Sequence, residues 1–347
     1  MSKLKVAIIC GGKSSEHEIS CVSANGILNA LDRTQFEPVL IGITKNGRWL
    51  LLPSDTNFAI INGALPVVPE SGVEINVTSQ GLFSGGKNLE IDVAFPILHG
   101  PYGEDGTIQG LLEMIGIKYV GSGVLASAVC MDKSYAKPIF ASAGLNVAPG
   151  IVVTSKDFEL PSTLKLPLFV KPARSGSSRG TTKVKELSQL AAAVEHALDF
   201  DTKVIIEQAI VGKEIECAVL QADDKITVSK VGQILISDKF EFYDFHAKYL
   251  DDSMQLILPA DLPEEASRQI QQAALIAFEA AGCEGLARVD FFYSSEGKVI
   301  INEINTMPGF TPMSVYPKLI ENSGINYQLL ITKLIQTAKN RSSSITR

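Results

Sequence analysis

Apolar residues come first in unbroken runs and later in alternation, and the shift predicts a change of fold along the chain. Lys5-Val6-Ala7-Ile8-Ile9-Cys10 carries a continuous apolar run, the pattern of a parallel strand buried on both faces. A Gly11–Ser15 turn, helical spacing from Glu16 to Leu31 and a strand from Glu37 to Ile43 complete a β-α-β unit. Residues 53–90, rich in Pro, Gly, Ser and Asn, predict a peripheral insertion with short strands. Ile91–Leu98 predicts another buried strand ending in the loop His99–Gly106. Helices are expected over about Thr107–Ile115 and most of Val124–Ala143. Beyond Pro149, short β runs (148–153, 166–172, 181–185, 203–208, 214–221, 226–233) surround one helix at 186–198. A long amphipathic helix at 263–281, two strands, a final helix at about 325–339 and a frayed polar tail from Asn340 to Arg347 close the chain. The expected fold class is α/β followed by α+β: an open parallel N-terminal domain, then mostly antiparallel sheets.

The last two strands carry the most chemistry. In Val299–Asn305 residues two apart share a face, so Glu303 and Asn305 project together; Arg288 and Asp290 do the same on the strand Leu286–Phe292. Ser294-Ser295-Glu296-Gly297 between them reads as a hairpin turn. Pairing the strands gathers Asp290, Glu303 and Asn305, hard oxygen donors that suit Mg²⁺ held by one or two carboxylates plus substrate phosphates. Arg288 beside them is a fixed cation for an anionic transition state. Upstream, Phe169–Gly180 is a strand entering a Gly/Ser loop, with Lys171 as point charge for a phosphate. It is not a P-loop, because G-x-x-x-x-G-K-[ST] is absent. Glu16, His17 and Glu18 sit at a strand-to-helix switch, where open α/β sheets bind ligands, and His99 ends the neighbouring strand close by. Together they suggest recognition of a substrate ammonium. Glu207 and Glu214 flank a strand junction and bind either an adenine amine and ribose hydroxyls or nothing but solvent. The aromatic-rich stretch Phe240–Tyr249 predicts a lid, with Lys248 as its phosphate-binding charge and Tyr249 as its polar cover.

Composition narrows the class. With 347 residues, 46% hydrophobic and 20% charged, the chain reads as two or three ordinary globular domains. A net charge of −7 argues against a nucleic-acid partner. Five scattered cysteines without C-x-x-C spacing read as buried thiols of a reducing compartment. No run approaches the ~20 apolar residues of a membrane span, so the expected location is cytoplasmic.

Six separated motifs — Gly12–Ser20, His99–Glu113, Met131–Lys133, Lys171–Gly180, Tyr243–Tyr249 and Arg288–Ser314 — resemble the ATP-grasp superfamily, and within it the D-alanine–D-alanine ligase family, over nearly the whole length. The resemblance implies an N-terminal substrate-binding (pre-ATP-grasp) domain at 1–130, a central ATP-grasp subdomain at 131–215 and a C-terminal one at 216–347. It implies ATP phosphates held by Lys133, Lys171, Ser178 and, on lid closure, Lys248. Glu207 and the backbone of Gln208, Ala209 and Ile210 would take adenine, and Glu214 the ribose. Asp290, Glu303 and Asn305 would bind two Mg²⁺ ions, with Mn²⁺ as a substitute. The first D-alanine would meet Glu16, with His99 nearby and Ser177 and Tyr249 joining Glu16 in a hydrogen-bond network. Ser314 would hold the second D-alanine, and Arg288 and the Gly309 N–H would stabilise the oxyanion. A homodimer through the N-terminal domain is the family expectation. Two departures stand out. Arg179 and Thr181 replace apolar residues in the usual Gly-Ser-Ser-Val-Gly loop, and His246 takes a position that is more often acidic. The alternatives are a D-alanine–D-lactate or D-alanine–D-serine ligase on the same scaffold, a different ATP-grasp ligase, against which the Glu16 and His99 motifs count, and a non-catalytic nucleotide-binding regulator.

Overall fold

The computed structural model describes residues 2–236 and 254–342. The first sheet takes β1 (Leu4–Gly11), α1 (His17–Ala30), β2 (Phe36–Ile43), β3 (Trp49–Leu52), β4 (Val73–Thr78), β5 (Gly81–Ser84), β6 (Lys87–Asn88), β7 (Val93–Pro96), α2 (Thr107–Met114) and β8 (Lys118–Tyr119). Its order is β6-β5-β4-β3-β2-β1-β7-β8. The four strands β2, β1, β7 and β8 are parallel, as the unbroken apolar runs predict, and Val6–Cys10 is fully buried. The predicted insertion does not stand apart. Its strands continue the same sheet by antiparallel pairing, so the N-terminal sheet is mixed. Chain order reverses between β1 and β7, so Gly11 and His99 leave the sheet side by side at a topological switch point.

The helical stretch expected over most of Val124–Ala143 forms as two helices, α3 (Val124–Met131) and α4 (Lys133–Ser142). Asp132 breaks it: the residue is extended and its carboxylate accepts from the Ser134 N–H, capping α4. A four-stranded antiparallel sheet follows, from β9 (Gly150–Val153), β10 (Leu168–Pro172), β11 (Thr182–Val184) and β12 (Val204–Gln208), covered by α5 (Leu190–Leu198). The third sheet is antiparallel throughout. It comprises β13 (Gly212–Ala222), β14 (Lys225–Val228), β15 (Gly232–Ile236), β16 (Met254–Ile257), β17 (Leu286–Ser294) and β18 (Val299–Asn305), with α6 (Glu264–Ala280) packed on it.

Two further helices end the described chain, α7 (Val315–Asn322) and α8 (Tyr327–Asn340). The pattern of the sequence does not announce α7, which is only eight residues long and has Pro317 in its first turn. Helix α7 packs on β13 of the third sheet, and α8 packs on β7 and β8 of the first sheet as well as on β13. One core cluster joins Val6, Ile8 and Phe95 to Leu220, Phe310, Tyr316, Leu330 and Ile335. This return of the chain end closes the cleft between the first and third sheets. The tail is also less frayed than expected at its start, since Arg341 donates to the Gly121 carbonyl and pairs with Glu284. All five cysteines are buried and free. No helix among the described residues is long and apolar enough to cross a membrane.

Candidate active site

The centre of the site is a hairpin whose regularity is broken once. Arg288 lies opposite Asn305 and Asp290 opposite Glu303, but Phe291 lies opposite Ile301, so Asn302 is an extra residue, a β-bulge. In a regular ladder Asp290 would face Asn302, and Glu303 would turn toward the core beside Val289. The bulge instead puts Arg288, Asp290, Glu303 and Asn305 on one face. The neighbouring strand β13 adds Glu216 opposite Asp290. Arg288 donates from Nε and Nη2 to Asp290 at 2.8 and 2.7 Å, and its Nε lies 2.9 Å from Glu216. Asn305 Nδ2 reaches Asp290 at 3.0 Å, and Lys133 Nζ lies 3.0 Å from Glu303. Among the described residues no three His, Cys, Asp or Glu side chains converge as a metal site. Two carboxylates and an amide suit an ion that completes its shell with phosphate oxygens and water, so this donor set fits Mg²⁺.

On one side of this face lies a cavity of about 360 Å³ between the four-stranded and six-stranded sheets. Lys133, Lys171, Ser178, Glu207, Gln208, Ala209, Ile210, Glu214, Asp290 and Glu303 line it, so the residues singled out for a nucleotide are brought together. Ser177 and Ser178 adopt left-handed φ of 49° and 55°, which holds the loop over the cavity mouth in a conformation that non-glycine residues rarely take. Arg179, whose effect the sequence left open, is exposed. The N–H groups of Gln208 and Ala209 already donate to the Pro149 and Pro167 carbonyls, so those two donors are not available to a base. Lys137, which sequence reasoning missed, pairs with Glu207 at 2.7 Å from behind the cavity wall, while Lys171 pairs with it from within. Burial acting alone would raise the Glu207 carboxyl; the two ammonium groups overcome this and hold it down at about 2. Lys171 in turn is lowered, by burial and by its neighbours Lys137 and Lys133. The signal available in the sequence was the spacing: Lys133 and Lys137 are four apart on one helix and therefore share a face.

On the other side lies a cavity of about 540 Å³ lined by Glu16, His99, Glu104, Ser177, Arg288, Glu303, Asn305, Gly309 and Ser314, with apolar walls from Ile19, Val22 and Leu65. Ser177 Oγ donates to Glu16 at 2.6 Å across 161 positions of sequence. Gly100, at φ 69°, passes so close that a Cβ there would lie 2.9 Å from the Glu16 carboxylate. Ser314 is next to Gly309, and a Cβ on Gly309 would lie 3.2 Å from its hydroxyl. Of the three charged candidates at the first switch, only Glu16 reaches the cavity. Glu18 turns to Lys45 at 2.5 Å. His17 is buried, with Nδ1 2.7 Å from the Gly12 carbonyl and Nε2 accepting from the Val68 N–H. Its work is to hold two loops together. His99 lines the cavity with both ring nitrogens engaged. A carbonyl can only accept, so Nδ1–H donates to Met307 at 3.0 Å and Nε2 accepts from Ser23, 3.3 Å away. Burial keeps this imidazole below its ordinary value. Glu104 was also missed. It accepts from the Gly100 N–H at 2.7 Å, and burial together with the charge of Glu16 pushes it up to about 8. Lys248, Tyr249, His246 and the rest of the Phe240–Tyr249 lid lie outside the described residues.

Comparison with known proteins decides the family. A family model described as D-ala D-ala ligase N-terminus matches residues 5–122, and one described as D-ala D-ala ligase C-terminus matches residues 139–336. The chain belongs to the D-alanine–D-alanine ligase family. Relatives within it include the D-alanine–D-alanine ligases of Paenarthrobacter aurescens, 46% identical over 98% of this chain and 96% of that protein, and of Mycolicibacterium smegmatis, 48% identical over 99% and 97%. Among solved structures, the VanG D-Ala:D-Ser ligase from Enterococcus faecalis is similar with a TM-score of 0.84 at 36% identity, covering 97% of this chain and all of that one. The D-alanine–D-alanine ligase from Coxiella burnetii gives 0.81 at 33%, over 98% and 96%. Membership of this ligase family accounts for a fold in which two cavities, of about 360 and 540 Å³, meet at one polar strand face.

Proposed function

We propose that the protein is an ATP-dependent ligase that joins two D-alanines into D-alanyl-D-alanine, releasing ADP and phosphate, for peptidoglycan precursor synthesis in the cytoplasm. The observation that carries the reading is that Glu303 lines both cavities, so a phosphoryl group delivered from one side meets a carboxylate held on the other. Lys133 and Lys171 hold ATP phosphates, Ser178 supports them from the loop, Glu207 accepts from the adenine amine and Glu214 from the ribose. Glu16, fixed by Ser177, takes the ammonium of the first D-alanine and so aims its carboxylate at the γ-phosphorus. The resulting acyl phosphate is attacked by the free amine of the second D-alanine, whose own carboxylate Ser314 holds. Arg288 and the Gly309 N–H stabilise the oxyanion of that step. His99 holds the Gly309 loop in place through the Met307 carbonyl. Asp290, Glu303 and Asn305 hold two Mg²⁺ ions, which when bound neutralise phosphate charge. Lys248 and Tyr249, which lie outside the described residues, take the roles the family resemblance implies, a cation for the γ-phosphate and a polar cover that keeps water from the acyl phosphate. The division into residues 1–130, 131–215 and 216–347, and a homodimer through the first of these, complete the proposal.

The D-serine alternative draws on VanG, which at 36% identity is more distant than the D-alanine–D-alanine ligases at 46–48%. Phosphate release from ATP, measured with D-alanine alone and then with D-alanine plus D-serine or D-lactate, is the test. Turnover with D-alanine alone is expected. Turnover only when D-serine or D-lactate is added would move the protein to a sister activity, and none with any acceptor would make it a regulator.

A further inference from the structure

Lys137 does not touch either cavity. It is 8% exposed and sits on α4, and its Nζ lies 2.7 Å from the Glu207 carboxylate, itself 4% exposed. Among the described residues neither Lys137 Nζ nor the Glu207 Oε2 facing it has another hydrogen-bond partner. Glu207 faces two cations in this state, Lys137 on α4 and Lys171 on β10, with Lys133 nearby on the same helix. The two pairs are not equivalent. Lys171 lines the cavity and, on the reading above, turns to the phosphates when ATP arrives. Lys137 stays.

We propose that Lys137 is a positioning residue for nucleotide choice: with ATP bound it is the counter-ion that keeps Glu207 an ionised, acceptor-only carboxylate, which selects a purine bearing a 6-amino group over one bearing a 6-keto oxygen. The inference rests on the reading of Glu207 as the partner of the base. An ionised carboxylate has no proton to give, so it accepts from the adenine amine and repels a keto oxygen at the same place. A protonated carboxyl carries an O–H and tolerates either. Burial drives Glu207 toward that protonated form, and once Lys171 leaves, the charge of Lys137 opposes it.

The test compares ATP with inosine triphosphate, which replaces the 6-amino group by a keto oxygen, in steady-state turnover with D-alanine. In Lys137→Met, the KM for ATP is expected to rise roughly tenfold, as a charge-assisted hydrogen bond becomes a neutral one. The ATP-to-ITP ratio of kcat/KM should narrow by about the same factor, with kcat and the KM for D-alanine nearly unchanged. Lys137→Arg, which keeps the charge, should preserve the ratio. On a Glu207→Gln background the Lys137→Met change should leave the ratio where Glu207→Gln alone put it, a comparison that also serves if the single Met variant folds poorly. An unchanged ratio in Lys137→Met, or an equal loss of kcat with both nucleotides, would overturn the proposal while Glu207→Gln still shifts the ratio. If Glu207→Gln itself leaves nucleotide KM and ratio untouched, the placement of the base is wrong instead.

Discussion

Replacing Glu16 by Gln should weaken the first D-alanine far more than it weakens ATP. Glu16 is 8% exposed and receives the Ser177 hydroxyl at 2.6 Å, so its carboxylate is held in one orientation before substrate arrives. The variant keeps shape and most packing, and loses the charge. A hydrogen bond to a charged group contributes about 1.5–3 kcal/mol and a neutral one about 0.5–1.5 kcal/mol, so the substitution forfeits roughly 1–2 kcal/mol of ammonium binding. At a factor of ten per ~1.4 kcal/mol, the KM for D-alanine should rise about 5–30-fold. The KM for ATP should stay within about twofold, because the nucleotide cavity is lined by other residues. Phosphate release at saturating ATP, with D-alanine varied, reads both numbers. Unchanged D-alanine dependence, or an equal rise in both constants, would refute the assignment of Glu16 to the substrate ammonium.

Asp290→Asn and Glu303→Gln should each abolish turnover at ordinary Mg²⁺ while thermal unfolding stays cooperative; activity like the parent in either variant would remove the metal assignment. Arg288→Ala should lower the ligation rate about 10²–10³-fold, as loss of an oxyanion donor does, with ATP binding by calorimetry nearly retained; the reverse pattern would move Arg288 to the nucleotide site. Glu104, raised from 4.5 to about 8 by burial and by the charge of Glu16, gives a prediction with a definite sign. Its folded-state value lies above the unfolded one, so the stability it contributes is complete below pH 4.5 and is lost as pH rises through about 8. The melting temperature of the parent should therefore fall between pH 6 and 9 more steeply than that of Glu104→Gln. Parallel curves would show that Glu104 does not titrate there.

Much of this protein was legible in its sequence because the signals are local. The unbroken apolar run Val6–Cys10, bounded by a glycine turn, reads as a strand buried on both faces. The Pro- and Ser-rich stretch after Leu52 reads as peripheral, although Phe58 and Val68 enter the core and its strands extend the first sheet. The two-residue period placed Arg288 with Asp290 and Glu303 with Asn305, and the Gly-Ser loop after Lys171 picked out a loop that lines the first cavity. What the tertiary structure alone decided depends on register and on contacts between distant segments. The bulge at Asn302 determines whether Glu303 faces Asp290 or the core, and no residue type in Ile301-Asn302-Glu303 announces it. Glu16, Glu18 and His17 look alike as candidates. Only packing sends Glu18 to Lys45 and buries His17 against Gly12 and Val68, leaving Glu16 to meet Ser177. Lys137, Glu104 and Glu216 acquire their meaning only from neighbours the fold supplies: Glu207 on another element, the charge of Glu16, and Arg288 on the adjacent strand. A charged side chain in a sequence carries no record of which opposite charge will be buried beside it, and burial is what turns such a pair from a surface detail into a determinant of the site.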